Sequence, residues 1–335
     1  MNISKHQYYY KSKGTKQGLP PSTHTLTVTG DRVDNAEIVS IIKITFTNPD
    51  TIYGYIKTTY MLKTNGFIIN KKKVYRLMHE SNLLGSKQIK SGKTYVKYRK
   101  VLPEMPLHVL EMDIKFVWVE HARKHAYILT VIDTFTRLAL YFTVSFSITK
   151  HEVKRAWEHV VIEHLQPNNR LNSLVNIEVR NDNDKRFSAE IVREFFKENY
   201  LDQVFTHPYT PQENGHIESF HAILSKHLEP SHFWSLEELE HNLVLFYEFY
   251  NNERIHGSIA YTTPRDFWDL WNLNLVNKKV DIQKRKIDFK LKIPHHEIRQ
   301  HTGKIEPEGS FLHDFEKIEI NKKTISAETS YQHTV

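Results

Sequence analysis

The 335-residue sequence contains no cysteine. This absence excludes disulfide crosslinks, thiolate zinc sites and a cysteine nucleophile, so any metal must be held by carboxylate, imidazole or amide groups. The first residues also lack an apolar leader segment, and no stretch approaches about 18 uninterrupted apolar residues. Neither repeats nor low-complexity segments are evident. We therefore expect a soluble protein of the cytoplasm.

Hydrophobic residues make up 39% of the chain and aromatic residues 12%. This content is sufficient for packed cores, and it argues against wholesale disorder. A chain of 335 residues is also too long for a single minimal domain. We expect two or three domains.

Positive charge is concentrated in the first hundred residues. They carry 18 Lys and Arg against 5 Asp and Glu, whereas the remaining 235 residues carry 28 against 34. The net charge of +7 therefore combines a basic first third with a mildly acidic remainder. This asymmetry favours a module that binds a polyanion, followed by a catalytic one. A merely solvated basic surface is the alternative.

Residues 1–30 are predicted to form an extended arm. Tyr8, Tyr9 and Tyr10 stand among lysines, and a stretch rich in Gly, Pro, Ser and Thr follows. Tyrosines between lysines can stack on nucleic-acid bases, but arms of this composition are often plain linkers. Both interpretations remain open.

Residues 31–84 show the pattern of three short helices. The first is predicted from Ala36, the second ends at Asn65 and Gly66, and Asn70 can cap the third. Basic residues cluster in the first turns of the third helix: Lys71, Lys72, Lys73 and Arg76. This arrangement predicts an all-α helix-turn-helix domain whose last helix enters a DNA major groove. A helical hairpin with a solvated lysine face is the alternative.

Residues 85–106 form a basic linker that ends at two prolines. Lys97, Arg99 and Lys100 lie in it. We expect these side chains to follow DNA phosphates between two domains.

The segment from 107 to 270 has the pattern of an α/β domain. Alternation of apolar and polar residues predicts strands in HVLEMDIKFVWVE, HAYILTVID and LALYFTVSF. A helix opens at Thr149, with Glu152 completing a capping box. The predicted order is β-β-β-α-β-α-β-α, which is typical of a mixed sheet flanked by helices. It is the layout of the ribonuclease H-like fold.

Three acids occupy telling positions in this domain. Asp113 lies inside the first strand, Asp182 directly follows the fourth, and Glu218 lies on a helix after 35 intervening residues. Strands one and four can be neighbours in this fold, so the two aspartates can lie side by side. Glu218 lies beside its helix's predicted core stripe of Ile217, Phe220, Leu224 and Leu228.

Clustered carboxylates repel one another unless a divalent cation neutralises them. Ligation by oxygen alone suits Mg²⁺ or Mn²⁺. Two such ions can activate a water or a 3′-hydroxyl and stabilise the leaving oxygen in phosphodiester chemistry. The three acids therefore predict a two-metal nuclease or strand-transfer site.

Other polar residues lie close to these acids in the sequence. Asp133, with Arg137 four residues on, is predicted to form a turn or an ion pair. Asp184 and Glu213 could replace a ligand on spacing alone. Two histidines, His216 and His221, could assist, although the chain has 21 histidines. We expect none of them to be a primary ligand.

Several motifs occur together in a fixed order along the chain. They are YGY (53–55), INKKKVYRLMHESNLL (69–84), MDIKF (112–116), TVIDTFTR (130–137), VRNDNDKRF (179–187), PQENGHIESF (211–220) and YNNERIHGSIAYTTP (250–264). From about residue 3 to 268 the chain resembles the integrase-like DDE transposases of bacterial insertion sequences, namely insertion-sequence family three, second-reading-frame type. The 35-residue gap matches that family's spacing.

The resemblance implies a retroviral-integrase-type catalytic core in which Asp113, Asp182 and Glu218 bind two Mg²⁺ or Mn²⁺ ions. It implies cleavage at the 3′ end of the element and attack of that hydroxyl near the other end, with later joining to target DNA. The implied partners are double-stranded DNA, as terminal inverted repeats and target, and further copies of the chain on paired ends. No membrane partner is implied, and the location is the bacterial cytoplasm, on DNA.

We also expect DNA contacts from residues within or beside these motifs, namely Asn214, His221, Lys226 and Arg254. For Arg254, as for Asn251 and His256, simple capping of the preceding helix is an equal alternative.

Two positions depart from the family pattern. Asp184 stands where the family usually has Gly, and Ser225 stands where it often has Lys or Arg. Either could lower activity, so a catalytically impaired relic that only binds DNA is the alternative function. A ribonuclease H-like nuclease without strand transfer is a further one.

Beyond Trp271 the resemblance fades. Residues 271–335 are predicted to be a β-rich extension with a disordered tail. Alternation of Ile287, Phe289, Leu291 and Ile293 with charged residues indicates exposed strands, in a small DNA-binding module or a subunit contact.

Overall fold

The computed structural model describes residues 21–85, 101–172, 175–207, 213–283 and 285–303. Most of the predicted arm, the linker residues Lys97, Arg99 and Lys100, and the predicted disordered tail lie outside these ranges. Within them, no helix combines the length and the apolar character needed to cross a membrane.

The N-terminal domain contains the three predicted helices, α1 (Asn35–Thr45), α2 (Tyr55–Thr64) and α3 (Lys71–Glu80). Asn70 caps α3 as predicted, because its side chain accepts the N–H of Lys73. Apolar side chains of all three helices form the domain's core: Ile38, Ile41, Ile42, Leu62, Val74, Leu77 and Met78.

A small antiparallel sheet, not predicted from the sequence, completes this domain. It consists of β1 (His24–Thr27), β2 (Arg32–Asp34) and β3 (Phe67–Ile68) in the order β2-β1-β3. The domain is therefore not purely helical, and its sheet includes residues that the sequence pattern placed in the arm. Strands of two to four residues are too short to show a detectable alternation.

The second domain is built on a five-stranded mixed sheet. Its strands are β4 (Val109–Val119), β5 (Lys124–Asp133), β6 (Ala139–Ser145), β7 (Ile177–Asn181) and β8 (Leu201–Phe205). They lie in the order β6-β5-β4-β7-β8, with β4 antiparallel to β5 and parallel to β7. The first three strands form a meander, and β4 lies at the centre. This is the ribonuclease H-like fold, as predicted.

Helices cover both faces of this sheet. They are α4 (Lys150–Val160), α5 (Glu190–Glu198), α6 (Gly215–Leu228) and α7 (Leu236–Asn252). The first two pack on one face, where Trp157 and Phe196 meet Met112. The other two pack on the opposite face through Phe220 and Phe246. The capping box of α4 and the core stripe of α6 are confirmed.

Strand β4 alternates as predicted, but its burial changes along its length. Met112 and Ile114 are buried, whereas Phe116 is 52% exposed and Trp118 44%. Phe116 packs edge-to-face against Tyr127 on the neighbouring strand, with ring centroids 5.0 Å apart. The end of this long strand therefore lies outside the helical cover.

The C-terminal part adds α8 (Pro264–Asn272), the hairpin of β9 (Val276–Asp281) and β10 (Lys286–Leu291), and α9 (Ile298–Thr302). The expectation of exposed strands is wrong for one side of the hairpin. Phe289 and Leu291 pack against a cluster that includes Phe135 and Phe267. The hairpin is thereby attached to the turn between β5 and β6.

The N-terminal domain docks on the catalytic domain through α2 and the residues before it. The rings of Tyr60 and Tyr261 stack at 4.0 Å. The backbone N–H of Ile255 donates to the hydroxyl of Tyr53 at 3.1 Å. Lys71 and Lys72, in the first turn of α3, remain exposed.

Candidate carboxylate site and nucleic-acid interface

The parallel pairing of β4 and β7 places Asp113 beside Asp182. Glu111 of β4 is the register partner of Arg180 of β7. Two residues further along each chain come Asp113 and Asp182, and successive register pairs in a sheet stay side by side. Asp182 follows the end of β7, and the charge of Asp113 acts on it, which agrees with the predicted proximity of the two aspartates.

Glu218 is carried by α6, which is attached to β4 at its first turn. The carboxylate of Glu111 accepts the backbone N–H of Ile217 at 2.7 Å, and its other oxygen lies 2.9 Å from Nδ1 of His216. Further along the same helix, Nδ1 of His221 lies 3.4 Å from Oδ2 of Asp113. Helix α6 therefore runs along β4, and Glu218 projects from its exposed side next to the buried stripe.

Asp113 acts electrostatically on both Asp182 and Glu218. Partial burial raises the pKa of Asp182, and the negative charges of Asp113 and Asp184 raise it further. Partial burial likewise raises the pKa of Glu218, with added contributions from Asp113 and Glu111. Asp113 thus acts on both other members. Mutual repulsion of this kind is what a bound divalent cation relieves.

The chemistry of the three carboxylates suits a divalent metal ion, whereas their spacing does not form a metal site among the described residues. The carboxylates of Asp113, Asp182 and Glu218 offer only oxygen, which suits Mg²⁺ or Mn²⁺. Among the described residues, however, no three or more Asp, Glu or His side chains approach closely enough to hold a metal ion. The three acids therefore lie near one another without forming a closed ligand cage.

Asp184 does not remain an uncompensated charge beside the site. Its carboxylate accepts hydrogen bonds from Nε of Arg186 at 2.9 Å and from Nη2 of the same residue at 2.5 Å. These hydrogen bonds, and to a smaller extent the charge of Arg186, lower the pKa of Asp184. Its backbone N–H, in turn, donates to Oδ1 of Asp182 at 3.1 Å. The loop at this family-atypical position therefore orients Asp182 while its added charge is paired.

The two other acids considered from the sequence have structural partners. Asp133 is fully buried, and its carboxylate accepts hydrogen bonds from Leu107, Phe135 and Thr136. It forms the predicted turn. Glu213 is 5% exposed and accepts the backbone N–H of His207 at 2.8 Å. Each carboxylate is thus occupied in holding a turn or loop.

The basic residues of α3 divide into two pairs. Lys71 and Lys72 are exposed at its first turn, where DNA could reach them. Lys73 instead donates to the carbonyl of His24 at 2.6 Å, and Arg76 donates to the carbonyl of Ser22 at 3.2 Å. The second pair ties the β1 segment to the helix. DNA contact by any of the four stays a prediction.

The remaining expected DNA contacts also differ in surroundings. Lys226 is exposed, whereas Asn214 is buried at the start of α6. His221 lies against Asp113, as described above. Ser225, which departs from the family pattern, donates its hydroxyl to the carbonyl of His221 at 2.7 Å, within the same helix. Lys226 is thus the most accessible of the expected contacts on α6.

The motif after α7 makes structural contacts. Arg254 donates to the carbonyl of Asp50 in the N-terminal domain at 2.8 Å. Asn251 exchanges two hydrogen bonds of 2.9 Å with the backbone of Ala139, and His256 is buried. The backbone N–H of Arg254 also donates to the carbonyl of Phe249 at 3.0 Å, at the end of α7. Arg254 thus closes the helix, as one interpretation of the sequence predicted, and it also joins two domains; DNA contact stays a prediction.

Sequence reasoning missed Glu111. It stands two residues before Asp113 in an alternating strand, so the pattern itself placed it on the same side. Burial raises the pKa of Glu111 to about 8, against opposing effects of the Ile217 hydrogen bond and of Arg137. A carboxyl on an otherwise apolar run is the signal that could have identified it.

Family comparisons agree with this architecture. Integrase core domain families match residues 103–211 and 199–264, and an HTH-like domain family matches residues 33–90. The matched ranges coincide with the two domains described above.

Individual proteins with similar sequences come from insertion elements. An uncharacterised 39.2 kDa protein of insertion element IS476 from Xanthomonas euvesicatoria is 26% identical, over 64% of this chain and 60% of that protein. The transposase for insertion sequence element IS904 from Lactococcus lactis subsp. lactis (strain IL1403) is 22% identical, over 68% of this chain and 91% of that protein. The alignment thus spans less than two thirds of the Xanthomonas relative.

Among solved structures, a chain of the simian T-cell lymphotropic virus intasome in complex with the PP2A regulatory subunit B56γ is similar, with 14% identity and a TM-score of 0.42. The match covers 69% of this chain and 74% of that chain. The fold assignment rests on the strand order itself.

Proposed function

We propose that this chain, which matches integrase core domain and HTH-like domain families and is similar to proteins of insertion elements, is an integrase-like DDE transposase that catalyses phosphodiester cleavage and strand transfer at the ends of an insertion sequence. The observation that carries this proposal is the joint placement of Asp113, Asp182 and Glu218. Support comes from two parallel strands paired through Glu111 and Arg180, from a helix anchored on Glu111, and from the electrostatic effect of Asp113 on both other acids.

The proposed ligand residues for two Mg²⁺ or Mn²⁺ ions are Asp113, Asp182 and Glu218. When bound, such a pair of cations supplies an activated water or 3′-hydroxyl and a stabilised leaving oxygen. Burial is the main cause of the raised pKa values of Asp182 and Glu218, and neighbouring negative charges add a repulsion that cation binding would offset. This added repulsion supports the metal proposal independently of the family.

The chain's own groups keep these carboxylates in place. The N–H of Asp184 holds one oxygen of Asp182. The ring of His221 lies beside Asp113, and Glu111 fixes the turn of α6 that precedes Glu218. Orientation of this kind lowers the entropy lost when a reacting phosphate binds.

The proposed partners are double-stranded DNA, both as terminal inverted repeats and as target, and further copies of the chain on paired ends. Lys71 and Lys72 are the proposed groove-facing residues of α3, because they are exposed while Lys73 and Arg76 have intramolecular partners. Lys226 is a proposed backbone contact next to the acids.

The test is a strand-transfer assay with the full chain and labelled duplexes that carry the inverted repeats flanking its gene. With Mg²⁺ or Mn²⁺, joined products are expected, and with a chelator none. Hydrolysis without joined ends would instead indicate a nuclease. DNA binding with neither product would indicate a DNA-binding relic.

A further inference from the structure

A cleft of about 720 Å³ separates the N-terminal domain from the catalytic domain and the C-terminal hairpin. Its walls come from α2, from the turn between β5 and β6, from residues 257–261 and from β10. One end reaches His216, in the first turn of the helix that carries Glu218. The cleft therefore leads from the domain junction to the helix of the carboxylate site.

The walls of this cleft are strongly cationic. Five permanently basic side chains line it, whereas Asp288 is the single acid among its described lining residues. Lys286 pairs with this acid at 2.6 Å. The basic residues are Lys63, Arg137, Arg285, Lys286 and Lys290. An excess of positive charge in a concave surface raises the local concentration of anionic ligands.

A second group of cations lies behind the cleft, two turns of α2 before Lys63. Lys57 is packed near Arg254, and burial together with the charge of Arg254 lowers the pKa of Lys57 to about 8. Nε of Arg254 and Nε2 of His256 are buried without a hydrogen-bond partner among the described residues. Two basic side chains, Lys57 and Arg254, therefore lie close together behind the cleft, and an anion nearby offsets the repulsion between like charges.

The cleft is also preformed. The stacked rings of Tyr60 and Tyr261 hold α2 against the catalytic domain along one wall. Gly257 lets its backbone approach this stack, because a Cβ atom there would lie 3.3 Å from the ring of Tyr261. On the opposite wall, Phe289 is packed against Phe135. No rearrangement is needed to open the space.

We propose, on the premise of the function above, that this cleft holds the sugar-phosphate backbone of DNA bound to the carboxylate site. Lys63 on α2 and Lys290 on β10 contact phosphates from opposite walls, and Arg137 contributes charge from the floor. The contact is independent of base sequence, because side chains that meet only phosphates carry no sequence information.

The absence of cysteine permits a direct test with single reporter thiols. Ser258→Cys places a thiol on the exposed wall of the cleft. Ser147→Cys places a control thiol just after the C-terminal end of β6, whereas the turn that lines the cleft precedes the N-terminal end of this strand. Ser147 is exposed as well. The rate of maleimide labelling is measured with and without a duplex of arbitrary sequence.

Bound DNA is expected to slow labelling at position 258 about tenfold when free DNA is about ten times its Kd. Labelling at position 147 should stay within about twofold of its free rate under the same conditions. Equal protection at both positions, or none at 258, would overturn the proposal.

A matched pair of lysine variants tests the phosphate contacts themselves. Lys63→Gln/Lys290→Gln removes two charges from the cleft, whereas Lys278→Gln/Lys279→Gln removes two from the strand of the same hairpin that does not line it. The slope of log affinity against log salt should fall by about two in the first variant. An equal fall in the second would show that binding is not directed to the cleft.

The outcomes separate this proposal from the proposed function. Protection of position 258 without strand transfer would support the cleft proposal and contradict the proposed activity. Strand transfer with unprotected position 258 would remove the cleft proposal alone.

Discussion

Glu111 and Asp113 lie two residues apart on β4 and face the same helix, but their surroundings differ. Glu111 is fully buried and bound by Ile217 and His216. Asp113 keeps 29% of its side chain exposed and has His221 on one side and two further acids nearby. The first carboxylate holds the helix to the sheet, and the second is left open to a ligand.

The comparison shows that the role of a carboxylate depends on the hydrogen-bond donors that the fold places around it. A buried carboxylate with its hydrogen bonds satisfied positions other groups. A partly exposed carboxylate without such donors stays available to a ligand, and its oxygens suit a divalent cation. The predictions below test this contrast from both sides.

The largest effect is expected from removing the open acids. Asp113→Asn, Asp182→Asn or Glu218→Gln should each reduce cleavage and strand transfer by a factor of at least about a thousand, because each removes a proposed metal ligand. DNA affinity, measured by fluorescence anisotropy, should remain within about threefold of wild type, since phosphate contacts dominate it. Undiminished cleavage in any of the three would contradict the site assignment.

Replacing the buried Glu111 should lower the stability of the protein. Glu111→Ala leaves the N–H of Ile217 and the ring of His216 without their acceptor, and we expect the free energy of unfolding to fall by about 2–3 kcal/mol. Denaturant unfolding measures this change.

Glu111→Gln is the matched control, because its amide oxygen can still accept the Ile217 hydrogen bond. It should lose less than half as much stability as the alanine variant. If both variants were as stable as wild type, Glu111 would not be the anchor of α6.

The smallest effect concerns Asp50, a partnered acid at the domain junction. Nδ1 of His227 lies 2.5 Å from its carboxylate, and Nε2 lies 3.0 Å from Asn242. Burial alone would lower the pKa of His227, but the hydrogen bond and charge of Asp50 outweigh it and raise this pKa. The protonated ring thus stabilises the docking of the two domains.

A raised histidine pKa fixes the sign of the pH dependence. The stabilisation is complete below the ordinary value of about 6.5 and is lost as pH rises through the higher folded-state pKa. Between about pH 6 and pH 9 we expect a loss of up to about 1 kcal/mol in wild type. In thermal unfolding, His227→Gln should remove this part of the pH dependence, and an unchanged profile would contradict it.

Much of the fold could be predicted from local pattern. The strands of the central sheet, the capping box at Thr149 and the stripe of α6 are confirmed, because periodicity and caps express contacts within one element. The small sheet of the N-terminal domain could not be predicted, since its strands depend on partners far along the chain. The C-terminal hairpin was placed as strands, but its packing against Phe135 is a tertiary contact.

The candidate site likewise combines features that follow from local sequence pattern with features that depend on tertiary contacts. The sequence by itself determined which acids stand at a strand centre, a strand end and the exposed side of a helix, because these positions follow from local periodicity. Only the tertiary structure decided that Glu111 anchors that helix, that Arg186 pairs with Asp184, and that Arg254 joins two domains. Each of these depends on a hydrogen-bond partner brought close by the fold, and hydrogen bonds act only over about 3 Å.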